Sequence, residues 1–296
     1  MTLLVVATYP VVAGPVVLGP AIAGGGALEV AGTRVPEAQG TAAMLGAACA
    51  AAAHLGCPAP WALLAGDIGR GDGTRAVFAA LPDALERVRP TVVAFHYLQP
   101  VMALMREGVA AVERIVPDAI LVADAGGMYA AKAAGLAPRF ELMTPDAGEV
   151  GFLADPDATH PAYVSRYLFG TGGFDPAELG RLAHERRGSS RVLLVKGVVD
   201  HVLLEGEVAA SVHEPVVPAL EAIGGTGDTL TGLASAFLAA GFPAVDAAVC
   251  AARANREAGL VMHATPAMRA RELVAAIPEV LRDNLCSWAG ACVTRG

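Results

Sequence analysis

Short apolar runs alternate along the chain with longer segments of helical periodicity. Five runs have the length and composition of buried strands, and they are Leu3–Ala7, Trp61–Ala65, Val92–Phe95, Ile120–Ala123 and Val192–Val195. Most are followed by a loop and then by a helical pattern, which is typical of parallel strands joined by crossover helices. We therefore predict an α/β fold with three layers, a doubly wound and mostly parallel sheet with helices on both faces.

Eight segments carry helical periodicity, and they are Thr41–Leu55, Thr74–Val88, Val101–Ile115, Met128–Ala134, Pro176–Glu185, Asp228–Ala240, Val245–Met262 and Glu272–Leu281. After Lys196 the sequence "DHVLLEGEVAASVHE" alternates around Gly206, which predicts a β-hairpin. No repeat, charge block or linker divides the chain. We predict one domain over residues 1–296, with a loosely ordered tail at 284–296.

Charge and composition exclude several classes of partner. The 296 residues carry a net charge of −8 and no basic run, which argues against nucleic acid and anionic membrane surfaces. The uncharged stretches Met1–Leu28 and Gly40–Gly66 are interrupted by prolines and glycines, so neither fits a signal peptide or a membrane span. The five cysteines show no metal-binding spacing. We expect a cytoplasmic protein with reduced thiols and a small-molecule substrate. The sequence leaves open whether the protein forms a homo-oligomer.

The loops that follow the predicted strands are rich in Gly and Asp. They read "GDIGRGDG" at 66–73, "FHYLQP" at 95–100, "DAGGM" at 124–128, "TPDAGE" at 144–149 and "KG" at 196–197. Ligands of doubly wound sheets bind beyond the carboxyl ends of the strands. Each loop alone is explained by a turn or a helix cap, but together they predict a ligand site at this edge.

A glycine-rich loop, Gly224 to Gly227, immediately precedes the apolar helix that begins near Asp228. The first N–H groups of a helix are unpaired, and glycines let a phosphate approach them, so the loop predicts an anion site. Asp228 would repel a phosphate unless it has a separate task, such as removing the proton from an attacking hydroxyl. The alternative is that Asp228 only caps its helix. Neither GxxxxGK[ST] nor an early GxGxxG is present, which argues against a Walker-type site and a dinucleotide-binding oxidoreductase.

The segment 224–241, "GGTGDTLTGLASAFLAAG", resembles the GxGD signature of the ribokinase-like superfamily. The segments "ELMTPDAGEVGFL" (141–153), "VLLVKG" (192–197) and "ANREAG" (254–259) resemble the carbohydrate-kinase-like branch that includes the nucleotide-dependent NAD(P)H-hydrate dehydratases. Asp146 and Ala147 stand where that branch has His and Pro. The segment before the glycine-rich loop, "PALEAI" (218–223), also differs from the Asn-Pro-Gly-rich segment that is usual in that branch. The resemblance covers roughly Val92 to Leu281, and the first 90 residues resemble the family's opening only loosely.

The resemblance implies roles for the phosphoryl-transfer residues. Asp228 would be the base that activates an acceptor hydroxyl. The backbone N–H groups that would hold the transferred phosphoryl are those of Gly225, Thr226 and Gly227. The residues that would contact the nucleotide are Lys196 and Gly197 at its phosphates and Asn255 at its adenine.

The resemblance also implies a magnesium element, Asp146-x-x-Glu149, that positions the hydrated ion through water. His96, Asp124 and Gly126 lie on the acceptor side and would bind the substrate. We therefore predict transfer of a phosphoryl group from ATP or ADP to a small-molecule hydroxyl, with Mg²⁺, in an NAD(P)H-hydrate dehydratase. The alternatives are a sugar or vitamin-precursor kinase and a non-catalytic nucleotide-binding protein, although Asp228 argues against the latter.

Overall fold

The computed structural model describes residues 1–24, 27–35, 39–159 and 175–288. Its eleven named strands form one sheet. They are β1 Leu3–Tyr9, β2 Val17–Gly24, β3 Ala27–Val30, β4 Thr33–Val35, β5 Trp61–Gly66, β6 Val92–His96, β7 Ile120–Ala123, β8 Leu142–Met143, β9 Val192–Val195, β10 Asp200–Leu204 and β11 Glu207–Val212.

The strand order is β11-β10-β9-β8-β7-β6-β1-β5-β2-β3-β4. The six strands from β9 to β5 in this order pair in parallel, with Leu4 opposite Trp61 on one side of β1 and opposite Val93 on the other. Antiparallel ribbons extend both ends of the sheet, β10 and β11 at one and β2, β3 and β4 at the other. The predicted fold class and the hairpin around Gly206 are confirmed.

Nine α-helices cover the sheet, and they are α1 Thr41–Leu55, α2 Asp72–Val88, α3 Met102–Ile115, α4 Ala125–Ala133, α5 Ala147–Ala154, α6 Pro176–Glu185, α7 Thr226–Ala239, α8 Ala244–Val261 and α9 Ala270–Trp288, counted over the described ranges. One face packs against α1, α7, α8 and α9, and the other against α2 to α6. In β1, Val5 and Ala7 join the first core and Leu4 and Val6 the second. Because both faces are buried, the central strands are continuously apolar.

The five predicted strands and the eight predicted helices are present, with ends shifted by a few residues and α9 extended to Trp288. Residues 284–288 of the predicted tail therefore belong to α9, and residues 289–296 lie outside the described ranges. The single-domain organisation stays a prediction. In the part of the chain that the structure describes, no helix combines the length and apolarity needed to span a bilayer.

Candidate active site

A cleft of about 810 Å³ opens beyond the carboxyl end of β9. Its walls are the Lys196–Gly197 turn, the start of α5, the start of α7 and a short 3₁₀ helix at Pro218–Ala222. The predicted loops 144–149 and 196–197 and the glycine loop therefore meet at one edge of the sheet. This position agrees with the usual location of ligands in a doubly wound fold.

The glycine loop enters α7 through a left-handed turn. Gly225 is the N-cap of α7 with φ +98°, a conformation that a residue with a Cβ adopts only at a cost. Thr226 and Gly227 form the first turn and line the cleft, and their N–H groups have no partner within the helix. Asn255 fixes this turn, because its Nδ2 donates to the Thr226 carbonyl at 3.1 Å and its Oδ1 accepts from Thr229 Oγ1 at 2.6 Å.

Asp228 is the third residue of α7, but its side chain binds outside its own helix. Its Oδ2 accepts from the backbone N–H of Gly40 at 2.8 Å, and its Oδ1 lies 2.9 Å from Nε2 of the buried His96. Burial raises the pKa of Asp228, but the hydrogen bond from His96, the Lys196 charge and the Gly40 N–H together hold it below its usual value. The carboxylate is thus ionised, and Gly225 rather than Asp228 is the N-cap.

Hydrogen bonds and an ion pair connect this carboxylate with Lys196. Lys196 Nζ lies 3.2 and 3.3 Å from the two carboxylate oxygens of Asp124, which also accepts from Thr231 Oγ1 at 2.6 Å. His96 Nε2 is 3.9 Å from Asp124 Oδ2. Burial lowers the pKa of Lys196, but the surrounding carboxylates, with Asp124 the largest contributor, raise it above its usual value. Lys196 is therefore a fixed positive charge beside the glycine loop.

His96, Asp124 and Asp228 bring their ligand atoms within 4.8 Å of one another, a spacing that could hold a metal ion. His96 Nε2 already binds Asp228, and Asp124 already binds the Lys196 ammonium. A cation at this position would have to displace both contacts. We therefore interpret the cluster as a network of hydrogen bonds, with the Lys196–Asp124 ion pair, that holds Asp228.

Asp146 and Glu149 form a capping box at the start of α5. Glu149 N–H donates to Asp146 Oδ1 at 2.8 Å, Asp146 N–H donates to Glu149 Oε2 at 2.9 Å, and the Tyr129 hydroxyl donates to Glu149 Oε1 at 2.7 Å. Burial raises the pKa of Glu149 to about 7, Lys196 opposes this shift, and the Asp124 and Asp146 charges add to it. An excess of carboxylates over cations lies at this wall of the cleft. These oxygen donors fit a magnesium ion that retains several waters.

The raised pKa of Glu149 predicts a pH-dependent stability in the absence of magnesium and nucleotide. Between 4.5, its ordinary value, and about 7, the folded protein holds a proton that the unfolded chain has released, so stability falls as pH rises through this window. As the pH rises from about 5 to about 8, we expect the Tm of Glu149→Gln to increase relative to that of the wild type. The difference should be ~2–4 °C for each kcal/mol of stability that the wild type loses. Glu207→Gln, on the exposed strand β11, is the control, and parallel Tm curves for wild type and Glu149→Gln would contradict the expectation.

Three further predicted site residues, Gly126, Asn255 and Gly197, have structural roles that explain their presence. A Cβ at Gly126 would lie 1.8 Å from the Leu98 carbonyl oxygen, so close packing explains this glycine. Both amide atoms of Asn255 bind α7, and the Gly197 N–H donates to Asp200 Oδ1 at 3.0 Å. Contact of Gly126 with substrate and of Asn255 with adenine stay predictions.

The structure adds site residues that the sequence patterns did not reveal. Gly40 binds Asp228, and the hydroxyl of Thr41 lies 3.5 Å from His96 Nδ1 while it donates to the Thr8 carbonyl. Residues 1–90 therefore contribute to the site as well as to the scaffold. The Arg256 guanidinium is buried, pairs with Asp200 at 2.7 Å and donates to the carbonyls of Gly197 and Val198. Arg256 lies in the segment 254–259 that carries the family resemblance, but no sequence signal distinguished it from the other charged residues of α8, Asp246, Arg253 and Glu257.

Comparison with known proteins identifies the family. The family model for NAD(P)H-hydrate dehydratase matches residues 108–279, more than half of the chain. The chain belongs to this family. Within the NAD(P)H-hydrate dehydratase family, the ADP-dependent (S)-NAD(P)H-hydrate dehydratase of Xanthomonas campestris is 30% identical over 263 residues, 86% of this chain and 83% of that protein. An uncharacterised protein of Methanocaldococcus jannaschii is 36% identical over 222 residues, 74% of this chain and 90% of that protein.

A solved structure agrees with the fold. The ADP/ATP-dependent NAD(P)H-hydrate dehydratase from Bacillus subtilis, co-crystallised with ATP and Mg²⁺, has a TM-score of 0.54 and 16% identity, covering 95% of this chain and 89% of that one. The predicted family and the prediction of an enzyme are confirmed. The matched range of this NAD(P)H-hydrate dehydratase family member includes the glycine loop, Asp228 and Lys196, whereas Gly40 and His96 lie before it.

Proposed function

We propose that the protein removes water from hydrated NADH or NADPH at the expense of ATP or ADP. The observation that carries this proposal is the position of Asp228. It directly follows Gly227, in the glycine loop that we assign to phosphate binding, and its carboxylate is held ionised by hydrogen bonds from His96 and Gly40 and by the Lys196 charge. These contacts support a proton acceptor directly beside the loop that would hold the nucleotide phosphates.

The arrangement supports a defined sequence of bond changes. Asp228 accepts the proton of the hydroxyl on the hydrated ring while the hydroxyl oxygen attacks the terminal phosphoryl group of the nucleotide. The N–H groups of Gly225, Thr226 and Gly227 hold the developing charge. The bond between the ring carbon and the ester oxygen then breaks, phosphate leaves with the bonding electrons, and loss of a proton from the neighbouring carbon restores the ring double bond. The products are the reduced cofactor, inorganic phosphate and the nucleotide shortened by one phosphate.

The residues that would hold magnesium are Asp146 and Glu149, which line the same cleft as Lys196. When bound, the ion would neutralise charge on the nucleotide phosphates. Glu149 must be deprotonated to interact with the hydrated ion, so its pKa of about 7 makes magnesium binding weaker in acid. The excess of carboxylates at this wall supports this assignment.

We expect hydrated NADH or NADPH to regain the absorbance of the reduced nicotinamide when ATP or ADP is supplied with Mg²⁺. The measurement is the recovery of this absorbance over time, with parallel assay of released phosphate. A reaction without nucleotide is the control and should show no enzyme-dependent recovery. Phosphorylation of a sugar or a vitamin alcohol without recovery would instead favour a kinase. Nucleotide binding without any turnover would favour a non-catalytic role.

A further inference from the structure

Tyr97 has an unfavourable backbone conformation next to Asp228. It directly follows β6, and its φ of +47° lies in the left-handed region, which is uncommon for a bulky residue. Its carbonyl accepts a hydrogen bond from Thr8 Oγ1, which fixes this turn. Strained conformations of this kind persist where the surrounding structure enforces them, and they concentrate at functional sites.

The ring of Tyr97 lies over the two groups that bind Asp228. It meets the His96 ring edge to face, with centroids 4.5 Å apart and an interplanar angle of 77°. Its Cε2 lies 3.5 Å from the place where a Cβ on Gly40 would be, so the ring contacts that glycine. An aromatic ring thus covers the polar cluster around Asp228.

Despite these contacts, Tyr97 is 47% exposed. Burial first, then the charges of Asp228 and Asp124, raise the pKa of its hydroxyl to about 12, so the phenol stays neutral and can donate a hydrogen bond. Two exposed apolar side chains lie at the same edge of the sheet, Ile68 just after β5 and Met102 at the start of α3. Stability alone does not explain a strained backbone that holds an aromatic ring half in water.

We propose that Tyr97 determines the acceptor of this enzyme, because its exposed ring stacks on the planar, conjugated part of the acceptor ring and so places the acceptor's hydroxyl at Asp228. The inference rests on the proposed function, in which the acceptor is a hydrated nicotinamide ring. Stacking favours a ring with a planar segment, such as the remaining C=C bond and carboxamide of hydrated nicotinamide, over a sugar, and the neutral phenol offers a donor to the carboxamide carbonyl. Tyr97 lies outside the range matched by the family model.

Tyr97→Gly removes the ring and keeps a residue suited to the left-handed turn, whereas Tyr97→Phe keeps the ring and removes only the hydroxyl. We expect Tyr97→Gly to raise KM for hydrated NADH by about 2- to 13-fold, the usual value of a stacked aromatic pair, and to leave KM for the nucleotide unchanged. Tyr97→Phe should raise KM for the hydrate less than Tyr97→Gly does. Val208→Ala, which truncates an exposed side chain on β11 at the far end of the sheet, is the matched control.

Each outcome decides the proposal. An increase of KM for the hydrate in Tyr97→Gly, with nucleotide KM and Tm preserved and rescue by Tyr97→Phe, supports it. If the wild type restores the nicotinamide absorbance but Tyr97→Gly keeps its KM for the hydrate, the role of Tyr97 is overturned and the proposed function stands. Equal increases of both KM values would identify a merely structural residue and also overturn it. If the wild type does not act on the hydrate at all, the proposed function fails, and this inference fails with it.

Discussion

Asp228→Asn is expected to lower turnover by about two to four orders of magnitude, the usual range for the loss of a general base. An amide cannot accept the proton of the acceptor hydroxyl. It can still accept from the Gly40 N–H with its oxygen, and its NH₂ group can donate to Nε2 of His96 when the imidazole carries its proton on Nδ1, facing Thr41. We therefore expect a cost of only about 1–2 kcal/mol in the free energy of unfolding.

The affinity for nucleotide should hold or increase in Asp228→Asn, because a negative charge next to the phosphates is removed. Asp228→Ala should be less stable than Asp228→Asn, since it leaves two buried groups of Gly40 and His96 without a partner. Asp246→Asn is a matched control, because Asp246 is the third residue of α8 but is exposed. Turnover, nucleotide affinity and Tm of the three variants decide the question, and near-normal turnover in Asp228→Asn would exclude the mechanism proposed above.

The parallel strands were predictable because burial on both faces leaves a continuous apolar run, as in Leu3–Tyr9. The strands β2, β3 and β4 escaped prediction. They form an edge ribbon with one solvated face, and prolines and glycines interrupt their pattern. Strand β8 has only two residues, Leu142 and Met143, which is too short for any periodicity. Helix α5 was missed although its capping box, Asp146 with Glu149, is a recognisable start signal.

The site was predictable where it depends on local sequence and hidden where it depends on tertiary contacts. The glycine loop and the strand-end residues His96, Asp124 and Lys196 lie in segments that a doubly wound fold must bring to one edge. The partners of Asp228 are 188 and 132 residues distant along the chain, at Gly40 and His96. No periodicity or local motif encodes such a contact. The same reason explains why helix capping remained an alternative for Asp228 until the structure placed its oxygens.

Gly227→Val is expected to abolish nucleotide turnover, with a loss of at least about 10²-fold, while the protein stays folded. A Cβ at this position would lie 3.3 Å from Lys196 Nζ, on the wall of the cleft, so the two methyl groups of valine would occupy the space through which a phosphate reaches the backbone N–H groups. Removal of one such donor in other enzymes costs ~10²–10³ in rate. Gly227 is already helical, so a side chain there creates no left-handed strain.

Gly225→Val distinguishes a blocked site from a damaged fold. Gly225 has φ +98°, and a Cβ there would lie 3.0 Å from both the Ala270 Cβ and the Gln39 Cα, so valine would strain the turn and displace the segment that carries Gly40. We expect Gly225→Val to lower Tm by several degrees, at ~2–4 °C per kcal/mol, and to lose activity for that reason. Gly227→Val should instead keep a Tm near that of the wild type and lose nucleotide affinity together with turnover. Gly227→Ala, with a single methyl group, should fall between the wild type and Gly227→Val in both turnover and nucleotide affinity. If Gly227→Val binds and turns over nucleotide like the wild type, the backbone of this loop is not the phosphate site, and the nucleotide must be held by the Lys196 wall alone.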